Sequence, residues 1–176
     1  MKWLISNGAD INARSQYDES ILSLAVAAAP MHIIRFLLRH RADCSRGNVL
    51  HTLAHRKDQL EGAGLVETLV RRGADVNGHR YDNSVAFRWK AFHKLLTPLH
   101  ECCYAGNVPV AKALLERGAD PNRQMLQTRV LVDPTALQQA CRDGNTALVE
   151  LFEKSERTES DEERGSPLDS MHNSRM

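Results

Sequence analysis

Apolar residues recur along the chain at the helical spacing, in short runs broken by glycine, proline and asparagine. The clearest run is TPLHECCYAGNVPVAKALLERGADPN, residues 97–122. Thr97 reads as an N-cap with Pro98 in the first turn, where a missing N–H costs nothing. The helix from Pro98 to about Ala105 stops at Gly106-Asn107, a pair tolerant of positive φ. Val108-Pro109 opens a second helix in which Val110, Ala113 and Leu114 share one face, and Gly118 closes it.

The same punctuation returns along the chain. Gly118-Ala119-Asp120 has counterparts at Gly73-Ala74-Asp75, Arg41-Ala42-Asp43 and Gly8-Ala9-Asp10, at intervals of 45, 32 and 33 residues. Thr97-Pro98-Leu99-His100 has counterparts at Ser20-Ile21-Leu22-Ser23, Asn48-Val49-Leu50-His51 and Thr135-Ala136-Leu137-Gln138. A unit of about 33 residues that carries T-P-L-H-x-A and two helices is the ankyrin signature. Over roughly residues 1–154 the chain thus resembles the ankyrin repeat family. The resemblance implies an all-α solenoid of helix-turn-helix units with finger loops and one long helical insertion. It divides residues 1–154 into a partial repeat 1–12 and repeats 13–45, 46–78, 79–122 and 123–154, followed by a tail at 155–176.

In the partial repeat, Trp3-Leu4-Ile5 would end an outer helix whose inner partner is missing. Truncation of a longer protein is expected there, rather than a cap improvised from those three residues. Repeat 13–45 has a finger tip at Arg14–Asp18, an inner helix at Glu19–Ala28 and an outer helix that buries Ile33, Ile34, Leu37 and Leu38. Arg41 stands where glycine would supply a left-handed cap, a replacement that should cost roughly 1 kcal/mol. In repeat 46–78 only two residues separate Ser45 from Asn48, so the finger is nearly absent. A lengthened turn through Lys57–Gly64 is expected before an outer helix at Leu65–Arg72; Gly62 and Gly64 lack the context of a phosphate loop.

Between Asn77 and Thr97 lie 19 residues where an ordinary unit has seven. Val85, Trp89, Phe92 and Leu96 fall on one helical face there, with Arg88, Lys90, His93 and Lys94 elsewhere. This predicts an extra basic amphipathic helix over 84–95, its apolar face buried on the repeats. The finger at Gln124–Asp133 is over length, with Thr128–Val132 strand-like in composition. The last outer helix would bury Ala147, Leu148, Leu151 and Phe152, and from Ser155 the polar acidic tail should be disordered.

Charge and chemistry refine this picture only slightly. The 23 basic and 22 acidic residues nearly balance, but 155–176 holds six acids and three bases, which leaves the body positive. Arg35, Arg39, Arg41, Arg46, Arg56 and Lys57 face only Asp43 in their stretch, and read as solvated helix faces and loops. No signal peptide, membrane-length apolar run or N-x-S/T acceptor occurs. Four cysteines without a framework suit a reducing, intracellular compartment, cytoplasmic or nuclear. Cys102, Cys103 and Cys141 occupy small-residue core positions, while Cys44, beside an exit loop, is the candidate reactive thiol. For His51 and His100 the resemblance implies a structural hydrogen bond across the turn. No catalytic constellation stands out, so neither enzymatic activity, cofactor nor metal is expected.

What the resemblance implies for function is recognition of a protein partner by finger tips and the concave inner-helix face. On this chain those positions are Arg14, Gln16, Tyr17 and Asp18, then Arg80, Tyr81, Arg88 and Lys90, then Gln127 and Arg129. The basic insertion implies an acidic partner segment, and the chain is expected to be a monomer. Two other classes compete. One is a regulatory or targeting fragment of a larger multidomain enzyme. The other, less favoured, is nucleic-acid binding through the basic stretches 35–57 and 80–94, with affinity falling steeply in salt.

Overall fold

The computed structural model describes residues 2–82 and 93–164. Their elements are α1 (Lys2–Ser6), α2 (Ile21–Ala28), α3 (Met31–Arg39), α4 (Val49–Leu53), α5 (Gln59–Arg71), α6 (Pro98–Ala105), α7 (Val108–Leu115), β1 (Gln124–Gln127), β2 (Val130–Thr135), α8 (Ala136–Arg142) and α9 (Thr146–Arg164).

Three of the inner helices start with the same reciprocal cap. Ser23 N–H donates to Ser20 Oγ at 3.0 Å while Ser20 N–H donates to Ser23 Oγ at 2.9 Å. Thr135 and Gln138 repeat the exchange at α8, and Thr97 with His100 does so at α6. Each cap satisfies two donors that a short helix leaves bare, and contributes about 1 kcal/mol. Asn48, which precedes α4, departs from this: it sits at φ 56° and makes no side-chain cap.

The exits share a second device. Arg41 N–H donates to Leu38 O and Ala42 N–H to Leu37 O, and the same pair of bonds recurs at Gly8-Ala9, Gly73-Ala74 and Gly118-Ala119. This is the Schellman arrangement, which needs a left-handed residue. Gly8, Gly73 and Gly118 have φ of 87°, 100° and 84°, and Arg41 takes the same conformation at 62°. The glycine position read from sequence is therefore kept in geometry where the residue is not glycine.

α2, α4, α6 and α8 pack in one row; α5, α7 and α9 pack in a second. Between the rows lies one continuous core in which Leu22, Ile34, Leu37, Leu53, Leu69, Leu99, Leu114, Leu148 and Phe152 are closed to solvent. Each such side chain stabilises by about 1.5–3 kcal/mol relative to exposure. Trp3 and Leu4 do not join it: they are 71% and 54% exposed, so no cap forms from them.

Four expectations are corrected. Lys57–Gly64 is not a lengthened turn: Asp58 caps α5 by accepting from Glu61 N–H at 2.9 Å, and Gly62 and Gly64 lie inside the helix. Gly62 permits α5 to approach α7, since a Cβ there would stand 3.2 Å from Val110 Cγ2. The stretch from Ser155 is helical through Arg164, because the first breakers after Thr146 are Gly165 and Pro167 and the intervening Glu, Lys and Arg favour helix. An Asn122 amide hydrogen bond to Glu156 ties that extension to an exit loop.

The fold is mainly helical but not wholly so. β1 and β2 form an antiparallel hairpin across Thr128 and Arg129, both at positive φ (49° and 65°). Finally, residues 93–96 are not helical. Leu95 exchanges backbone hydrogen bonds with Leu126, and this holds it extended and buried, while Leu96 is only half-buried. The buried position is therefore Leu95 rather than Leu96. Val85, Trp89 and Phe92, with Arg88 and Lys90, lie outside the described residues.

Candidate partner-binding surface

The short loop before α4 shapes the surface on the finger side. Gly47, at φ 81°, lies against the start of α2, where an added Cβ would come within 2.3 Å of Ser20 Oγ. The first finger stands beside it, closed by the Arg14–Ser20 bridge, an Arg14–Asp18 ion pair and the Ser15 N–H bond to Glu19 O at 2.9 Å. On the far side runs the segment from Asp75 to Asp82. With no second finger between them, these walls leave a cleft of about 740 Å³.

Arg14, Gln16 and Asp18 line one wall, Arg46, Asn48 and His51 the floor, and Asp75, His79 and Asp82 the other wall. Asp10 lines it too, so four carboxylates face two guanidinium groups. The cleft is acidic. The acidic partner inferred from the insertion rested on Arg88, Lys90 and Lys94, of which only Lys94 is described, and it donates to Asp133 O at 2.8 Å.

Arg80 and Tyr81 lie next to this cleft but belong to a polar network within the protein. Arg80 reaches Glu101 Oε1 at 2.9 Å and Glu19 Oε1 at 3.2 Å, and Tyr81 O–H donates to the same Glu19 oxygen at 3.0 Å. His55 Nε2 completes it, 2.8 Å from Glu101 Oε2. Burial works against the Arg80 charge, but Glu101, Tyr81 and Glu19 together more than offset it and hold the guanidinium above its ordinary range. Burial also pushes the Tyr81 phenol up to about 12. The network ties the chain just before α2 and just after α4 to α6 through the segment that follows Asn77. Tyr81 N–H donates to Asn48 Oδ1 at 2.9 Å, so the asparagine that fails to cap α4 anchors this segment instead.

His51 and His100 are structural. His51 Nε2 lies 3.0 Å from both Gly78 O and Leu96 O, and His100 Nε2 lies 3.0 Å from Pro134 O. Both imidazoles therefore carry their proton on Nε2, with the His100 Nδ1 left to accept at the Thr97 cap. Burial lowers both, His51 to about 4.

The thiols fall differently from expectation at two places. Cys44 is buried and burial raises it to about 11, which removes it as the reactive thiol. Cys102 and Cys103 are core residues as read, but Cys141 is exposed, because no further inner helix covers that side of α8 among the described residues.

The basic stretch 35–57 does not form one patch. Arg56 is buried, with its guanidinium donating to Val26 O, Ala29 O and Glu61, and Arg46 pairs with Asp43. Of the sequence-derived binding positions, Arg14, Gln16 and Asp18 meet in the cleft, with Tyr17 on the same finger tip. Gln127 and Arg129 lie at the far hairpin, away from it. Glu19, His55, Asp75 and Glu101 were missed by sequence reading; the only local signal was a Gly47-Asn48 pair in place of a finger.

No helix among the described residues is long and apolar enough to cross a membrane. Residues 94–125 match the family model of the ankyrin repeat, which bears out the resemblance at the most regular unit. Over 166 residues the chain is 27% identical to the mitochondrial disaggregase of Bos taurus, covering 94% of this chain and 23% of that protein. Over 80 residues it is 36% identical to the ADP-ribosylation factor GTPase-activating protein AGD4 of Arabidopsis thaliana, covering 45% of this chain and 8% of that one. The AGD2 protein of the same plant is 35% identical over 81 residues, again 8% of its length. The chain thus spans less than a quarter of each of these relatives.

Proposed function

We propose that this chain is a protein-recognition module: an ankyrin solenoid, with repeats at 13–45, 46–78, 79–122 and 123–154, that holds an extended partner segment in the cleft left by the missing finger. Ankyrin repeats generally mediate protein–protein interaction, which supports the class. The observation that carries the reading to one surface is the cleft itself, about 740 Å³ between loops mounted on packed helices. Its excess of carboxylates favours a segment bearing Lys or Arg. The module is non-catalytic in this reading and monomeric by itself. The internal pairing of Arg46, Arg56 and Arg80 disfavours the nucleic-acid alternative.

A photo-crosslinking residue at Gln16 tests this directly. Adducts with a discrete protein, weakened at least fivefold by Asp82→Lys and by raised salt, are the expected result. Adducts that form equally with Asp82→Lys would refute the cleft as the docking site.

A second reading, that the chain works as a regulatory or targeting part of a larger multidomain protein, is favoured by one observation. The match to the disaggregase takes in nearly all of this chain but 23% of that protein. An antibody against residues 97–122 would detect a species several times longer than 176 residues in the source cells if this holds, and one of 176 residues if it does not. Fractionation of the same cells tests the intracellular location, which the four free thiols support.

A further inference from the structure

The last finger is a small sheet with one open side. Leu126 N–H donates to Leu95 O at 3.0 Å and Leu95 N–H to Leu126 O at 2.6 Å, so both backbone groups of Leu126 point toward Leu95. In an antiparallel sheet a residue bonded to one neighbour turns away from the other. The Leu126–Leu131 pair across the hairpin is therefore of the non-hydrogen-bonded kind, and Leu131 directs its own N–H and C=O away from β1. Among the described residues neither group has a hydrogen-bond partner.

This edge is protected at one end and open at the other. Sheet edges are commonly blunted by Pro, Lys or a bulge; β2 has both Pro and a bulge at Asp133-Pro134, where it slips in register against Gln124/Met125, but 130–132 reads Val-Leu-Val and lies ahead of them. Val130 and Leu131 are 59% and 53% exposed. Beside Leu131 runs a second groove of about 420 Å³, whose polar lining includes Asp120, Arg123, Asp133 and Gln138.

We propose that β2 receives an extended segment of a partner protein as an added antiparallel strand centred on Leu131, a surface separate from the cleft. The alternation of side chains sets the chemistry of that segment. Its central residue pairs with Leu131 on the groove side, where a long polar side chain can lie over Leu131 and reach the groove carboxylates. The two flanking residues face Val130 and Val132 and are apolar. A second copy of this chain is a poorer occupant, because two-fold pairing would set Leu131 against Leu131 and leave the groove without a polar complement.

The test uses the full chain and the synthetic peptide Ser-Thr-Val-Lys-Val-Thr-Ser. Titration followed by amide NMR is expected to shift Val130, Leu131 and Val132 and to slow hydrogen exchange at Leu131 at least fivefold. Methylating the peptide nitrogen of its lysine, which removes the N–H donated to Leu131 O, is expected to weaken binding at least tenfold. Equal binding by the methylated peptide, or no shift at 130–132 with millimolar peptide, overturns the proposal. So does protection of the Leu131 amide that rises with concentration of the free chain, which would place a second copy on the edge.

Discussion

Arg41→Gly isolates one backbone term at a helix exit whose hydrogen-bonding pattern recurs along the chain. Arg41 holds φ 62° at the exit of α3, where Gly8, Gly73 and Gly118 hold 87°, 100° and 84° in the same hydrogen-bonding pattern. A left-handed conformation costs a residue with a Cβ about 1–2 kcal/mol. Against that, glycine frees the unfolded chain, a loss of about 0.4–1 kcal/mol. The exposed guanidinium has no ion pair or hydrogen bond among the described residues, so its removal costs only a weak helix-terminus attraction of about 0.3 kcal/mol. The balance is a stabilisation of about 0.5 kcal/mol, and at most about 1. Urea unfolding followed by circular dichroism should show a raised midpoint with an unchanged m-value. Gly73→Arg, the converse substitution, should lower it by about 1 kcal/mol or more. If Arg41→Gly instead lowers the midpoint, the strain argument is wrong and the Arg41 side chain makes a stabilising contact in solution.

Removing the buried carboxylate by Glu101→Ala should cost about 3 kcal/mol, at the low end for breaking a buried pair because Arg80 keeps Glu19; a change under about 0.5 kcal/mol in urea unfolding would mean that the network does not hold the inner helices together. His51 titrates at about 4 when folded, below its ordinary 6.5, so the unfolded chain takes up a proton that the folded chain refuses. That contribution is complete above about pH 6.5 and is lost as pH falls toward 4, by up to about 3 kcal/mol; unfolding free energies at pH 7, 5.5 and 4.5 should show the decline, and a slope unchanged by His51→Gln would count against it. Gly47→Ala should destabilise by more than about 2 kcal/mol, because left-handed strain adds to a clash with Ser20. Gly118→Ala, strained but in open space, should cost about 1 kcal/mol, and equal effects would show that the loop yields freely.

The sequence by itself determined the elements whose stabilising bonds lie within a few residues. Ser20 with Ser23, Thr97 with His100 and Thr135 with Gln138 are caps three residues apart. The second starts its helix at Pro98 as the residues place it, while the first helix begins at Ile21 rather than at Glu19 and the last at Ala136 rather than at Asp133 or Pro134. The exit at Arg41 was legible because a repeated Gly-Ala-Asp had implied a left-handed residue, and the Schellman bonds span one turn. Composition also marked the last finger as strand-like. Tertiary packing decided the rest. Gly62 and Gly64 read locally as a turn, but burial of Leu65, Val66 and Leu69 against α7 favours one continuous helix that Gly62 lets close. Leu95, not Leu96, is buried because Leu126, 31 residues on, takes its backbone into a sheet. Glu19, Arg80 and Glu101 meet only once α2, α4 and α6 are stacked, and the cleft exists because a loop of two residues stands between the first finger and the segment from Asp75 to Asp82. A short loop is visible in sequence, but the volume it leaves depends on what its neighbours do, and solvation and pairing of charges across that gap act through space rather than along the chain.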